Sequence, residues 1–178
     1  MSGIMIALVV GGVTPMDIGV GGAFYMEADS PRTKSYGAEA EFLAHLMQDQ
    51  LYLRTSILYF TRDEGGNNSI GLGSGVGRFW FFGSSSVDAL YYFTKQKPNK
   101  YKMSPYILGG FYFTALDGWN LYGVKAGAGI SYPLGKKSPM RLFGEAGTFL
   151  DGYSISDYGS ELYITIFARG GIRFNVLN

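Results

Sequence analysis

The sequence predicts an all-β chain, a closed antiparallel up-and-down transmembrane β-barrel of eight strands, with ten as the alternative count. Three observations predict it. Apolar residues recur with a period of two almost throughout the 178 residues, while helical i, i+3, i+4 patterns are scarce. Charge is thin, at 16% Asp, Glu, Lys and Arg, against roughly 25% in soluble domains. The rows opposite the apolar rows mix glycine with isolated charges, a poor composition for a water-facing surface because glycine weakens strands.

The strands follow in order. "MDIGVGGAFYM" from Met16 places Ile18, Val20, Gly22, Phe24 and Met26 on one face. "SYGAEAEFLAHLM" places Tyr36, Ala38, Ala40, Phe42, Ala44 and Leu46 opposite Glu39, Glu41 and His45. "LYLRTSILYF" sets Leu51, Leu53, Thr55, Ile57 and Tyr59 against Tyr52, Arg54, Ser56 and Leu58. In "RFWFFGSSSVDALYYF", Phe79, Phe81, Val87, Ala89, Tyr91 and Phe93 form a row with Asp88 opposite. "PYILGGFYF" is a fifth strand of ambiguous facing, since both of its rows are apolar.

"LYGVKAGAGISYPL" carries Tyr122, Val124, Ala126, Ala128, Ile130, Tyr132 and Leu134 against three glycines, Lys125 and Ser131. "RLFGEAGTFL" sets Leu142, Ala146 and Leu150 against Arg141, Phe143 and Glu145. "LYITIFARGGIRFNV" sets Leu162, Ile164, Ile166, Ala168, Ile172 and Phe174 against Tyr163, Thr165, Arg169 and Arg173. The connectors alternate in length. Residues 27–35, 61–77 and 151–161 read as long polar loops, and 47–50, 95–104 and 133–139 as shorter turns. Asp117-Gly118 marks a type I′ hairpin. No linker divides the chain. Residues 1–15 are read as an N-terminal segment, an incomplete export signal or a tag remnant, and 16–178 as one barrel.

The charged row gains a place once the apolar row is turned outward. Glu39, Glu41, Arg54, Lys125, Arg141, Glu145, Arg169 and Arg173 then line a lumen, which in eight strands is just wide enough for side chains to fill. Buried charges persist when they pair, and Lys125 is expected to pair with an interior carboxylate such as Glu145. Tyr36, Tyr59, Tyr122, Tyr132 and Phe174 are expected at the two membrane edges. Tyr122 and Tyr132 lie ten residues apart, a depth of roughly 25 Å, about the height of the lipid-facing band.

The stretch from "PYILGGFYF" through "YGVKAGAGISYPL" and "LFGEAG" to "ARGGIRFNV" resembles the small outer-membrane β-barrel proteins of the OmpX/OmpA transmembrane-domain type, in the porin-like superfamily. The resemblance covers about half the chain through its glycine-rich hairpins with an interior Glu and Arg, and the rest through strand rhythm. It implies an eight-stranded barrel of a Gram-negative outer membrane, with both termini periplasmic and the long loops outside. It further implies a terminal aromatic residue read by the barrel insertion machinery. Here Phe174 holds the outward position and "NVLN" follows it, so that signal is displaced.

The expected function is a structural or interaction barrel, surrounded by membrane lipid or detergent, that meets an extracellular or envelope protein through loops 27–35, 61–77 and 151–161. A narrow ion channel, a lipid A-modifying enzyme and a soluble lipocalin-like carrier are the alternatives, in falling order. No cofactor, metal or catalytic residue is expected. One histidine, His45, and no cysteine leave metal sites and Ser-His chemistry poorly supplied. "GLGSGVG" at 71–77 has no helix after it, so it is no phosphate loop. A net charge of +1 gives no field for nucleic acid.

Overall fold

A computed structural model describes residues 16–28, 33–47, 50–64, 68–71, 84–95, 102–116, 119–135, 138–155 and 159–177. Among them every regular element is a strand. These are β1 (Met16–Glu27), β2 (Thr33–Met47), β3 (Leu51–Glu64), β4 (Asn68–Gly71), β5 (Ser84–Tyr92), β6 (Ser104–Leu116), β7 (Trp119–Pro133), β8 (Met140–Ile155) and β9 (Gly159–Leu177).

Eight strands close the barrel and β4 stands outside the ring. The order β2-β1-β9-β8-β7-β6-β5-β3 is joined by β2–β3 pairing, so every wall contact is between chain neighbours except the closing β1–β9 ladder. All pairings are antiparallel. The eight-stranded count therefore holds and the ten-stranded alternative does not.

The register fixes the shape. Arg173 is level with Gly19, then Glu41, Ser56, Ser86, Tyr112, Gly123, Asp151 and finally Tyr163, back on β9 ten residues from the start. With a rise of about 3.3 Å per residue and strands about 4.8 Å apart, that stagger tilts the strands about 40° to the axis.

The two rows of each strand separate as alternation requires. Val20, Val87, Phe111, Ile130, Leu162 and Ile166 are exposed, while Arg54, Asp88, Leu43 and Leu90 have no exposed surface at all. The structure settles the facing of the fifth barrel strand: Tyr106 and Leu108 turn inward, Ile107 and Phe111 outward. Among the described side chains of the strands, the outward rows carry one charge, Lys34, at the loop end of β2. Phe79 and Phe81, expected in the fourth strand, lie outside the described residues.

The long connectors are shorter than the sequence suggests. β3 continues to Glu64 and β4 pairs back onto Phe60–Asp63, so part of 61–77 is ladder. β8 and β9 likewise extend to Ile155 and Gly159, which leaves residues 156–158 between them. In these stretches the hydrophobic alternation of the sequence fades while the backbone ladder continues.

Candidate functional site: the barrel lumen

The lumen is layered, and the layers follow from which inward residues share a level. Nearest the long connectors lie Tyr25, Phe149 and Phe167, with ring centroids 4.9 to 6.5 Å apart. Below them comes a charged tier. An aromatic and leucine layer, made by Leu43, Tyr52, Leu90, Tyr92, Tyr106 and Leu108, lies toward the short turns.

In the charged tier, Glu145 is directly level with Arg169 across the β8–β9 ladder, and Arg54 with Asp88 across β3–β5. Arg54 donates to Asp88 Oδ2 from Nε at 2.8 Å and from Nη2 at 2.6 Å, and from Nη1 to Glu145 Oε1 at 2.7 Å. Arg173 donates from Nε to Glu41 Oε1 at 2.5 Å and from Nη2 to Glu145 Oε1 at 2.7 Å. Arg169 bonds Glu39 and Glu145 closely and reaches Glu41 Oε2 at 3.2 Å. Tyr106 donates its hydroxyl to Glu145 Oε1 at 2.5 Å. Three guanidiniums thus share two central carboxylates, Glu41 and Glu145, with Glu39 and Asp88 at the flanks. Charge-assisted and partly bidentate bonds of this kind are the strong class of hydrogen bond.

All eight charges singled out in the sequence face the interior, but one expected pair does not form. Lys125 Nζ meets Asp88 Oδ2 at 2.6 Å and donates to Ser86 Oγ at 3.1 Å, rather than meeting Glu145. Register explains the correction. Lys125 and Asp88 are both level with Gly110, one on either side, whereas Glu145 is level with Gly129, four residues along β7 from Lys125. Glycine leaves nothing between Lys125 and Asp88, and a β-carbon on Gly110 would run into Asp88 and the backbone of Val87.

Arg141 also departs from the cluster. It sits at the turn end, level with Arg173, and its Nε donates to Ser131 Oγ at 2.8 Å, with no carboxylate among the described residues bonded to it. His45 lies at the same end, with Nε2 3.3 Å from Asp17 Oδ1 and its ring 4.2 Å from that of Tyr52. With Asp17 and Asp88 added, the described lumen holds five carboxylates, Asp17, Glu39, Glu41, Asp88 and Glu145, against five bases, Arg54, Lys125, Arg141, Arg169 and Arg173. Among the described residues the interior charges balance. No cluster of three metal-binding side chains occurs among the described residues.

Of the expected edge aromatics, Tyr36, Tyr132 and Phe174 face outward. Tyr36 stands toward the loop end of β2, Tyr132 and Phe174 toward the turn end of β7 and β9. The side chains of Tyr59 and Tyr122 lie outside the described residues.

No protein-family model matches the chain, and no curated protein does. Among solved structures, Neisserial surface protein A matches with a TM-score of 0.57 at 12% identity, covering 91% of this chain and 96% of that one. The chain has the fold of the small eight-stranded outer-membrane barrels. The N-terminal β-barrel domain of Pseudomonas aeruginosa OprF matches at a TM-score of 0.43 and 17% identity, over 90% of this chain and 97% of that one.

Within this small-barrel fold, interior residues of two kinds escaped the sequence reading. Tyr92 and Tyr106 were hidden because both rows of their region are apolar, yet their hydroxyls accept from Arg173 Nη1 at 2.9 and 3.2 Å. Ser86, whose hydroxyl lies 2.7 Å from that of Ser56 in the Arg54 row, joins Lys125 to the tier. Strict alternation from Asp88 would have placed Ser86 inside.

Proposed function

We propose that the protein is an integral barrel of the outer membrane of a Gram-negative-type bacterium, with a structural or interaction role and a plugged, charged lumen. The carrying observation is the inversion of polarity. Among the described side chains the outward rows are mainly apolar and carry one charge, Lys34 at the loop end of β2, while most interior charges pair with one another and nearly all are buried. Closure removes the strand edges that lipid could not satisfy, and apolar-out, polar-in alternation is what a lipid surround requires.

In this reading both termini and the short turns are periplasmic. The loops in 27–35, 61–77 and 151–161 face outward and meet an extracellular or envelope protein partner. The insertion machinery engages the β9 end, where Phe174 faces lipid. The interior charges act on one another and not on a substrate, so the role is non-enzymatic.

The test is refolding into detergent micelles, followed by gel electrophoresis with and without heating and by planar-bilayer recording. The expected result is insolubility in plain buffer, a faster-migrating folded band that disappears on boiling, and no steady conductance steps. A monodisperse protein without detergent would refute the membrane reading. Steady steps from the wild type would refute the plugged lumen.

A further inference from the structure

The ion pairs are only part of the plug. We infer that a second, largely apolar barrier closes the lumen on the turn side of the Arg54, Asp88, Glu145 and Arg169 ion pairs, so that parting those pairs alone opens no path for ions. This deepens, and rests on, the plugged-lumen reading above.

The sequence of inward residues along four strands carries the inference. Moving toward the short turns, the next inward residue after Glu41 is Leu43, after Arg54 it is Tyr52, after Asp88 it is Leu90, and after Glu145 it is Phe143. Each of these four charged residues thus stands on a leucine or an aromatic residue, while on β9 Gly171 and then Arg173 follow Arg169. Leu43 and Leu90 have no exposed surface, Tyr52 keeps 2% and Phe143 7%.

β6 completes the layer with Leu108 and Tyr106, and the rings of Tyr52, Tyr92 and Tyr106 follow one another at centroid spacings of 5.0 and 4.5 Å. The neighbouring strand makes room for this bulk. A β-carbon on Gly129 of β7 would overlap the Tyr106 ring, and Arg173 lays its guanidinium 4.1 Å from the Phe143 centroid. Leu43, Tyr52, Leu90, Tyr92, Tyr106 and Leu108 pack as one buried cluster.

Such a layer blocks ions by a different physics from the charged tier. An ion passing the carboxylates and guanidiniums finds polar partners, while one entering the packed layer loses its water and meets mainly apolar side chains, because the Arg173 guanidinium and the Tyr92 and Tyr106 hydroxyls there are already bonded to one another. Rearranged ion pairs would therefore create a polar chamber with a closed floor.

Planar-bilayer recording separates the two barriers. Arg54→Gln, Asp88→Asn, Glu145→Gln and Arg169→Gln together remove two charges of each sign and keep the lumen balanced. This variant, folded by its heat-modifiable mobility, is expected to show no steady steps. Adding Leu43→Ala, Leu90→Ala and Leu108→Ala is expected to produce them. Steps from the charge variant alone, or none from the folded combined variant, would overturn the inference. Steps from the wild type would instead strike the plugged-lumen reading itself.

A second measurement does not depend on the floor variants folding. The chain has no cysteine, so Leu90→Cys in the charge-variant background is a single reporter. It is expected to react with a small charged methanethiosulfonate at least about 100-fold more slowly than in the urea-unfolded protein, as buried thiols do. Labelling at the unfolded rate would overturn the second barrier.

Discussion

Replacing Glu145 by glutamine removes the most heavily used acceptor in the lumen. Its two oxygens take bonds from Arg54, Arg169, Arg173 and Tyr106. The amide keeps one oxygen and turns an NH2 group toward a region already crowded with donors. It also leaves one uncompensated positive charge in a closed interior.

Removing one partner of a buried ion pair costs about 3–5 kcal/mol. The lower end applies here because each guanidinium keeps another acid. Arg54 still has Asp88 at 2.6 Å, Arg173 still has Glu41 at 2.5 Å, and Arg169 still has Glu39. A loss of about 3 kcal/mol, with a urea slope near 2 kcal/mol per molar, moves the unfolding midpoint down by about 1.5 M.

The assay is urea unfolding of the refolded protein in micelles, followed by gel mobility and tryptophan fluorescence. The double variant Glu145→Gln/Arg169→Gln rebalances the charge and is expected to lose clearly less than the sum of its singles, with a coupling of about 1.5 kcal/mol. A Glu145→Gln midpoint within about 0.3 M of wild type, or strictly additive singles, would refute the claim that this carboxylate organises the tier.

Three further outcomes follow from the geometry. A double-mutant cycle of Lys125→Met with Asp88→Asn should show a coupling of about 1–2 kcal/mol, while Lys125→Met with Glu145→Gln should be additive within about 0.5 kcal/mol; urea midpoints read both. Gly110→Ala should destabilise the barrel by about 1–3 kcal/mol, because the added methyl has backbone as well as Asp88 in its way. On the outer face, Ala128→Arg in the body of β7 should cost about 2–4 kcal/mol and Leu134→Arg beyond its turn end about 0–1 kcal/mol, as measured by refolding equilibria in lipid; equal costs would argue against a lipid surround.

How much of this was legible depended on whether a feature is local to a strand. Alternation is local, so "LYGVKAGAGISYPL" and "ARGGIRFNV" could be assigned faces from their own residues. The choice of partner is not local. Lys125 finds Asp88 because β5, β6 and β7 stagger so that Gly110 falls between them, and no spacing within β7 encodes that. Tyr106 was obscured by a neighbouring row as apolar as its own, and β4 by the polar and glycine-rich sequence around it. The Asp17–His45 contact at the turn end joins β1 and β2, and the register of that ladder is not encoded by spacing within either strand.

The interior glycines change meaning in this light. Gly19 lies level with Glu41 on one side and Arg173 on the other, Gly110 with Asp88 and Lys125, and Gly129 with Tyr106 and Glu145. In each case the two flanking side chains bond one another across the glycine, at 2.5, 2.6 and 2.5 Å. Residues on strands two apart are separated by roughly 10 Å of sheet, and any β-carbon between them would stand in the way. Glycine in a strand costs stability through lost packing and freedom, and here each one is offset by a buried charged bond that could not form without it. The glycine row that made the sequence unlike a soluble sheet is therefore part of the charge network. Substitutions there should read out as broken ion pairs before they read out as weakened strands.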